Sequence, residues 1–159
     1  MIKLLKNYVF ERATPEQVIQ AYDKFNFTHK SNHLKEREII KKEENENILK
    51  TIIRYSAHSK VPKQFRNIIK KEWLTWDEIG ILNKISHVYD YHINHNFLKN
   101  KFSCKGRVLR LKRGENTVQK LFGFLTINIP IFGKLIENAI KKSLYEEMDK
   151  NYFSIRRLI

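Results

Sequence analysis

The sequence predicts an α+β fold in which an antiparallel sheet of about seven strands curls around one long C-terminal helix. Strand-like segments follow one another along most of the chain, and five glycines and three prolines among 159 residues leave little room for linkers. After Pro130, apolar residues recur at steps of four. Such a row drifts ~40° around a helix axis at each step, so the apolar stripe winds and requires a curved partner. Its members are Phe132, Ile136, Ile140, Leu144, Met148 and Tyr152.

The chain begins with a strand and a helix. Residues 2–11 have the composition of a strand. Thr14, Pro15 and Gln17 then fit an N-cap, the first helical position and a capping-box partner. The apolar residues that follow, at i, i+3, i+4 and i+7, predict a surface helix with one face on a core. These are Val18, Ala21, Tyr22 and Phe25.

The middle of the chain consists of strands in meander order. A hairpin is predicted from residues 34–43 and 47–57, and its second strand should point Leu49, Thr51, Ile53 and Tyr55 inward because alternate residues share a face. A short helix is expected from Val61 and Pro62 onward. The remaining strands are predicted at 72–81, 86–95, 99–112 and 117–129, before the C-terminal helix to Ile159. Consecutive strands with the helices on one side indicate an α+β fold, and a curved sheet wrapped around the long C-terminal helix is the arrangement called a helix-grip.

Length and composition predict a single domain over residues 1–159. One cysteine, Cys104, excludes an internal disulfide and fits a reducing compartment. Lysines interrupt the apolar residues at the start too early for a signal peptide, and no apolar run approaches the ~20 residues of a membrane span. We therefore expect a cytoplasmic monomer.

The formal net charge of +14 raises the question of an anionic partner. The basic residues are 22 lysines and 9 arginines, spread along the chain. Base and phosphate recognition favours arginine, so this pattern disfavours nucleic acid. A generic solvated surface is favoured, followed by transient attraction to an anionic membrane.

Several phrases resemble the START-like superfamily (SRPBCC, the birch-pollen-allergen fold), and together they cover nearly the whole chain. The ending resembles that of an uncharacterised bacterial START-like family, with the pattern IP-x-x-G-x-x-IE at Ile129, Pro130, Gly133, Ile136 and Glu137. A weaker likeness, in the first half and at Ile93 to His95, is to PRELI-type phospholipid-transfer proteins. The phrases are YVFERATPEQVIQAYDKF, KVPKQFRNII, EWLTWDEI and GRVLRLKRGENTVQKLFGFLTINIPIFGKLIENAI.

The resemblance implies binding of a lipid or another apolar molecule between sheet and helix. Some members of the superfamily are enzymes, but the sequence matches no catalytic motif of those branches, so we expect neither catalysis nor a cofactor. Small residues at Gly106, Gly123 and Ala139 also favour a cavity. The expected cavity residues are Thr51, Ile53, Tyr55, Leu121, Leu125, Ile127, Leu135, Ile136, Ala139 and Ile140. The expected gate is Pro62, Phe65 and Ile69, and the expected membrane-facing residues are Lys60, Lys63, Arg66, Lys70 and Lys71.

Two other functions stay open. A START-like enzyme of cyclase or hydrolase type would need two polar residues that meet inside the cavity. Asp77 and Glu78 lie on opposite faces of a strand, so only one of them can point inward. A basic RNA- or ribosome-associated module would need cations massed on one face beside exposed aromatics such as Phe122 and Phe124. The six histidines and Cys104 form no spacing typical of a metal site.

Overall fold

The computed structural model describes residues 1–28, 36–56, 63, 67, 75–131 and 133–159, without the side chains of 26–28, 36, 37, 139 and 143. Its strands form one antiparallel sheet in the order β1-β7-β6-β5-β4-β3-β2. This confirms the predicted helix-grip architecture. The elements are β1 (Ile2–Phe10), α1 (Pro15–Thr28), β2 (Glu36–Glu44), β3 (Ile48–Ser56), β4 (Thr75–Asn83), β5 (Val88–Asn94), β6 (Phe102–Arg113), β7 (Asn116–Ile127) and α2 (Gly133–Arg156).

The element boundaries differ from the predicted ones by a few residues, for local reasons. Strand β4 continues to Asn83, whose side-chain oxygen accepts hydrogen bonds from the amides of Ile85 and Ser86 and so starts the turn. Helix α2 ends at Arg156 in a turn closed by the Leu158 amide on the Ile155 carbonyl. The short helix expected from Val61 falls largely outside the described residues.

Helix α1 begins at the predicted capping box. The Thr14 amide donates to Gln17 Oε1 at 2.8 Å, and the Gln17 amide donates to Thr14 Oγ1 at 3.2 Å. Val18 and Ala21 are buried in a cluster with Phe10 and Ile155, so α1 packs against both the sheet and α2.

The winding stripe of α2 lies against the concave face of the sheet. Ile136 is buried beside Leu125 and Ile127, and Leu144 and Met148 pack against the same cluster. Further along, the helix joins a second cluster. There Tyr152 stacks on Tyr8 with ring centroids 4.7 Å apart, and Ile155 is fully buried.

The junction between β7 and α2 explains the IP-x-x-G-x-x-IE ending. A Cβ at Gly133 would collide with the carbonyl oxygen of Ile127, so only glycine permits this approach. The buried Glu137 side chain accepts a hydrogen bond from the Ile127 amide at 2.7 Å. The pattern therefore fixes the start of the helix to the end of the strand.

Helix α2 also protects the edge strand β1. The Tyr145 hydroxyl accepts a hydrogen bond from the Leu5 amide and donates one to the Leu5 carbonyl. The Tyr152 hydroxyl donates to the Val9 carbonyl at 2.6 Å. Groups that would otherwise invite another strand are thus satisfied within the chain. Neither helix, over its described length, is long and apolar enough to cross a membrane.

Candidate ligand-binding site on the concave face

The concave face of the sheet has two unequal halves. Contacts between α2 and the sheet are concentrated on β1 and β7. Leu4 and Leu125 in this packed half are almost fully buried, whereas Tyr89, Tyr91 and Ile93 on β5 keep intermediate exposure. We call the part over β3, β4 and β5 the open half.

A chain of polar side chains crosses the open half. The Tyr89 hydroxyl donates to Glu78 Oε1 at 2.7 Å, and the Thr51 side chain lies near this hydroxyl. Burial, followed by the negative charge of Glu78, raises the pKa of the Tyr89 phenol, so it stays a proton donor at every physiological pH. This Thr51–Tyr89–Glu78 chain places an acid, a phenol and an alcohol together.

The neighbouring carboxylate confirms the strand alternation. Asp77 lies on the convex side, where it accepts hydrogen bonds from Arg54 Nε at 2.8 Å and Nη2 at 3.0 Å. Of the two adjacent acids, Glu78 is therefore the one on the concave face.

Glycines make room for two tyrosine rings. A Cβ at Gly80 would overlap the ring of Tyr89, and a Cβ at Gly106 would lie 2.6 Å from the Tyr91 hydroxyl. Gly123 is paired with Gly106 and is also covered by Tyr91. The two rings are stacked with centroids 6.2 Å apart. The space at Gly106 and Gly123, which the sequence predicts to favour a cavity, is thus partly filled by Tyr91.

The boundary between the halves contains the chain's cysteine. Cys104 is paired with Ile93 on one side and with Leu125 on the other. Burial, with a smaller contribution from Glu78, raises the pKa of its thiol to about 12. The thiol is therefore protonated and unreactive near neutral pH.

A buried arginine lies further along the concave face. Arg110 is 7% exposed, its Nε donates to Gln119 Oε1 at 2.9 Å, and its guanidinium carbon is 4.8 Å from the centre of the Tyr22 ring. Gln119 in turn donates to the Tyr22 hydroxyl at 2.7 Å. Among the described residues no carboxylate lies within ion-pair distance of Arg110, and burial lowers its pKa. A cation–π contact and a neutral amide stabilise this charge.

The structure brings most of the predicted cavity residues to the concave face. The roles of these residues, and of the predicted gate and membrane-facing cations, in binding stay predictions. Thr51, Ile53, Leu121, Leu125, Ile127 and Ile136 are buried there, and Tyr55 stacks on Trp76 with centroids 6.0 Å apart. Lys63 is exposed. The side chain of Ala139, the gate residues Pro62, Phe65 and Ile69, and Lys60, Arg66, Lys70 and Lys71 fall outside the described set.

Leu135 and Ile140 differ from the other predicted residues of the helix. They are 52% and 36% exposed, because the packed seam of the first turns passes through Ile136 and Glu137 instead. A buried glutamate on the inner face was not expected from an apolar stripe. Its reason is the strand-end amide of Ile127 that it satisfies.

Sequence reasoning identified Thr51 and considered Glu78, but it missed other polar members of the site. Tyr89, Tyr91 and Arg110 were not singled out, although Tyr89 and Tyr91 alternate on a predicted strand. Their importance depends on the residues opposite, such as Gly80 and Gly106, and only the strand register reveals those. The relevant signal was therefore a tyrosine pair together with glycines on adjacent strands.

Open clefts formed by described residues lie elsewhere. One of about 360 Å³ is lined by Phe10, Glu11, Arg12, Arg156 and Ile159, where the end of α2 meets the end of β1. Its charged rim and wide opening make it a poor match for an apolar ligand. Within the described ranges, no three His, Cys, Asp or Glu residues are grouped to hold a metal ion.

Comparisons with known proteins support the fold. No family model and no curated protein matches the sequence. Among solved structures, a protein from Thermus thermophilus has a TM-score of 0.69 at 18% identity, over 99% of this chain and 96% of that chain. Norcoclaurine synthase from Thalictrum flavum, solved with dopamine and hydroxybenzaldehyde, has a TM-score of 0.62 at 15% identity, over 99% and 86%.

A START superfamily protein from Mycobacterium smegmatis has a TM-score of 0.59 at 9% identity and covers 99% of each chain. These neighbours include both an enzyme and a protein whose name states no activity. The order of the sheet, the long C-terminal helix laid on its concave face and these likenesses agree. The chain therefore has the helix-grip fold that these solved structures share.

Proposed function

We propose that the protein binds a lipid or another amphipathic small molecule, without catalysis, between the open half of the concave face and α2. The observation that carries this proposal is the Thr51–Tyr89–Glu78 chain, which places hydrogen-bonding groups in a mostly apolar and partly accessible face. Ligand sites commonly have this composition.

The apolar part of the ligand would lie along Tyr91 and Ile93, which keep intermediate exposure in the open half. Each methylene removed from water contributes ~0.8 kcal/mol, so an acyl chain needs no special chemistry to bind. The polar end would meet Glu78 and Tyr89, which offer one acceptor group and one hydroxyl. Orientation would therefore come from the polar chain and most of the affinity from the apolar face.

Transient contact with an anionic membrane would bring the ligand to the site. The loops after β5 and β7 lie side by side, since the Asn128 amide donates to the Lys101 carbonyl at 2.7 Å. They carry Phe97 and Ile131, which are 61% and 93% exposed. Apolar tips beside lysines suit the interface of an anionic bilayer.

The test is native mass spectrometry of the purified protein, followed by uptake of a fluorescent fatty acid after organic extraction. We expect a bound mass or saturable uptake. Glu78→Gln and Tyr89→Phe should weaken uptake several-fold, whereas Asp77→Asn, on the opposite face of the same strand, should not. The proposal fails if the protein shows neither a bound mass nor uptake.

A second candidate is an enzyme of cyclase or hydrolase type. Such an enzyme would need two polar residues that meet inside a cavity, and the contact between Glu78 and Tyr89 at 2.7 Å on the concave face supports this candidate. Turnover of p-nitrophenyl esters or of an extracted ligand, lost in Glu78→Gln and kept in Asp77→Asn, would favour it. Uptake without turnover would favour binding alone.

A further inference from the structure

The convex face of the sheet carries two exposed phenylalanines. Phe122 and Phe124 on β7 are each 41% exposed, and they alternate with Leu121, Gly123 and Leu125, which point into the core. Helix α2 packs on the opposite, concave face through Ile136. These rings therefore contribute little to the core and are available to a partner.

Cations that are distant in sequence meet around these rings. Phe124 is paired with Lys3 on β1 and with Lys105 on β6, while Phe122 is paired with Leu5 and Arg107. Lys120 follows on the same face of β7. We call these seven residues the convex patch: Lys3, Leu5, Lys105, Arg107, Lys120, Phe122 and Phe124.

Most of the positive charge in the convex patch is uncompensated. Lys3, Lys105 and Lys120 form no ion pair with any residue that the structure describes, whereas Arg107 is paired with Asp90. The lysines look dispersed along the sequence, at positions 3, 105 and 120, and antiparallel pairing brings them to neighbouring strands.

We propose that the convex patch binds single-stranded nucleic acid, with bases stacked on Phe122 and Phe124 and phosphates held by the lysines. Exposed aromatic rings within a basic surface are the usual platform for this ligand, because every base has a π-face. The patch is on the other side of the sheet from the concave site, so this activity is independent of the lipid-binding proposal.

The strand itself supports the assignment. The run KLFGFLTI, from Lys120 to Ile127, follows the order of the aromatic strand of RNA-recognition motifs: a basic residue, an aromatic, a small residue, an aromatic and an aliphatic. In that motif the outward rings stack two or three bases. Leu121 and Ile127 replace the motif's glycine and last aromatic, and both are buried here. The likeness is therefore strongest in the residues that face outward.

Geometry favours nucleic acid over a membrane at this surface. A bilayer is engaged by apolar residues that protrude beyond the charges around them. In the convex patch the rings and the cations occupy the same rows of a sheet, with Lys3 and Lys105 directly beside Phe124. Alternating rings and charges instead fit a polyanion whose bases and phosphates alternate.

The experiment is fluorescence anisotropy with labelled 12-nucleotide oligouridylate and oligothymidylate between 50 and 300 mM salt. We expect saturable binding of at least one oligomer. Phe122→Ala/Phe124→Ala should weaken binding at least tenfold, since each stacked base contributes substantially. Lys105→Ala should reduce the slope of log K against log salt by about 0.7.

The control variants distinguish loss of the aromatic rings from loss of folding. Phe122→Tyr/Phe124→Tyr should retain binding, because the rings remain. Lys50→Ala/Ile81→Ala alters a directly paired cation and apolar residue on the same convex face, away from the patch, and should bind like the unchanged protein. Circular dichroism and thermal melts verify that every variant is folded.

Three results would overturn the proposal. One is the absence of binding to either oligomer at 50 mM salt. Another is binding that the double alanine variant leaves unchanged. The last is binding of phosphatidylserine vesicles, but not of oligomers, that depends on Phe122 and Phe124.

Discussion

The two halves of the concave face differ in what fills them. In the packed half, α2 covers β1 and β7 with apolar residues and its tyrosine hydroxyls satisfy the edge of β1. In the open half, Tyr89 and Tyr91 lie over glycines of the neighbouring strands, and they and Glu78 remain partly accessible. The difference shows that two parts of one sheet can have different roles. The packed half holds the fold together, and the open half carries the polar groups that we propose meet a ligand.

The largest expected effect comes from shortening a side chain in the packed half. Leu125 is 1% exposed, so Leu125→Ala should lower the free energy of unfolding by about 2–5 kcal/mol. Ile93→Ala, in the open half and separated from Leu125 only by Cys104, should cost about 1 kcal/mol because the residue is partly exposed. Urea denaturation measures both. Equal losses would show that the two halves do not differ in this way.

The strand-to-helix junction gives the next largest effect. Glu137→Ala leaves the buried amide of Ile127 without its acceptor and should cost about 1–3 kcal/mol. Glu146→Ala, an exposed acid on the same helix, should change stability by less than about 0.5 kcal/mol. A similar small change in both variants would mean that Glu137 does not fix the helix to the strand.

The boundary cysteine should make stability fall at high pH. Burial raises the pKa of Cys104 to about 12, so the thiol ionises first in the unfolded chain, near pH 9.0. The contribution of this protonated thiol to the free energy of unfolding is complete below pH 9. It is lost as the pH rises toward 12, by at most about 1.4 kcal/mol per pH unit.

Urea midpoints between pH 8 and 10.5 test this sign. In Cys104→Ala the decline should be shallower, and what remains should come from Tyr8, Tyr22, Tyr89 and Tyr91, whose pKa values burial also raises. An identical pH dependence in both proteins would contradict the prediction.

The smallest expected effect concerns single hydroxyl groups. Tyr145→Phe removes two contacts with the Leu5 backbone and should cost about 1 kcal/mol. It should also raise the tendency to associate, since the edge of β1 loses its cover. Tyr91→Phe, in the open half, should cost less. Light scattering measures association and thermal melts measure stability in both variants. A larger loss of stability in Tyr91→Phe than in Tyr145→Phe would contradict the division into a packed and an open half.

The sequence predicts what local physics determines. The capping box at Thr14 and Gln17, the alternation within β3 and the helix start near Gly133 each depend on a few neighbouring residues, and each is found in the structure. The winding stripe of α2 likewise follows from helical geometry, which is why it predicted a curved partner.

The register between distant strands could not be predicted, and the candidate site depends on it. Glu78 meets Tyr89 because β4 and β5 pair with Gly80 opposite Tyr91. The convex patch needs Lys3 beside Phe124, across most of the chain. Leu135 shows the same limit on a helix. The apolar stripe predicts Leu135 on the inner face of the helix. Glu137 points inward instead, because its side chain accepts a hydrogen bond from the Ile127 amide.

The ring of Tyr89 lies over Gly80 and so couples two positions on neighbouring strands. A side chain at Gly80 can be accommodated only if Tyr89 becomes smaller or moves, whereas a side chain at Gly106 would also meet the carbonyl oxygen of Phe122. In any set of relatives, positions 80 and 89 should therefore vary together or not at all. A relative with a larger residue at position 80 and a small one at 89 would have the same sheet, with the space on its concave face in a different place. Ligand preference in this fold could then change by exchange within a pair, without alteration of the packed half.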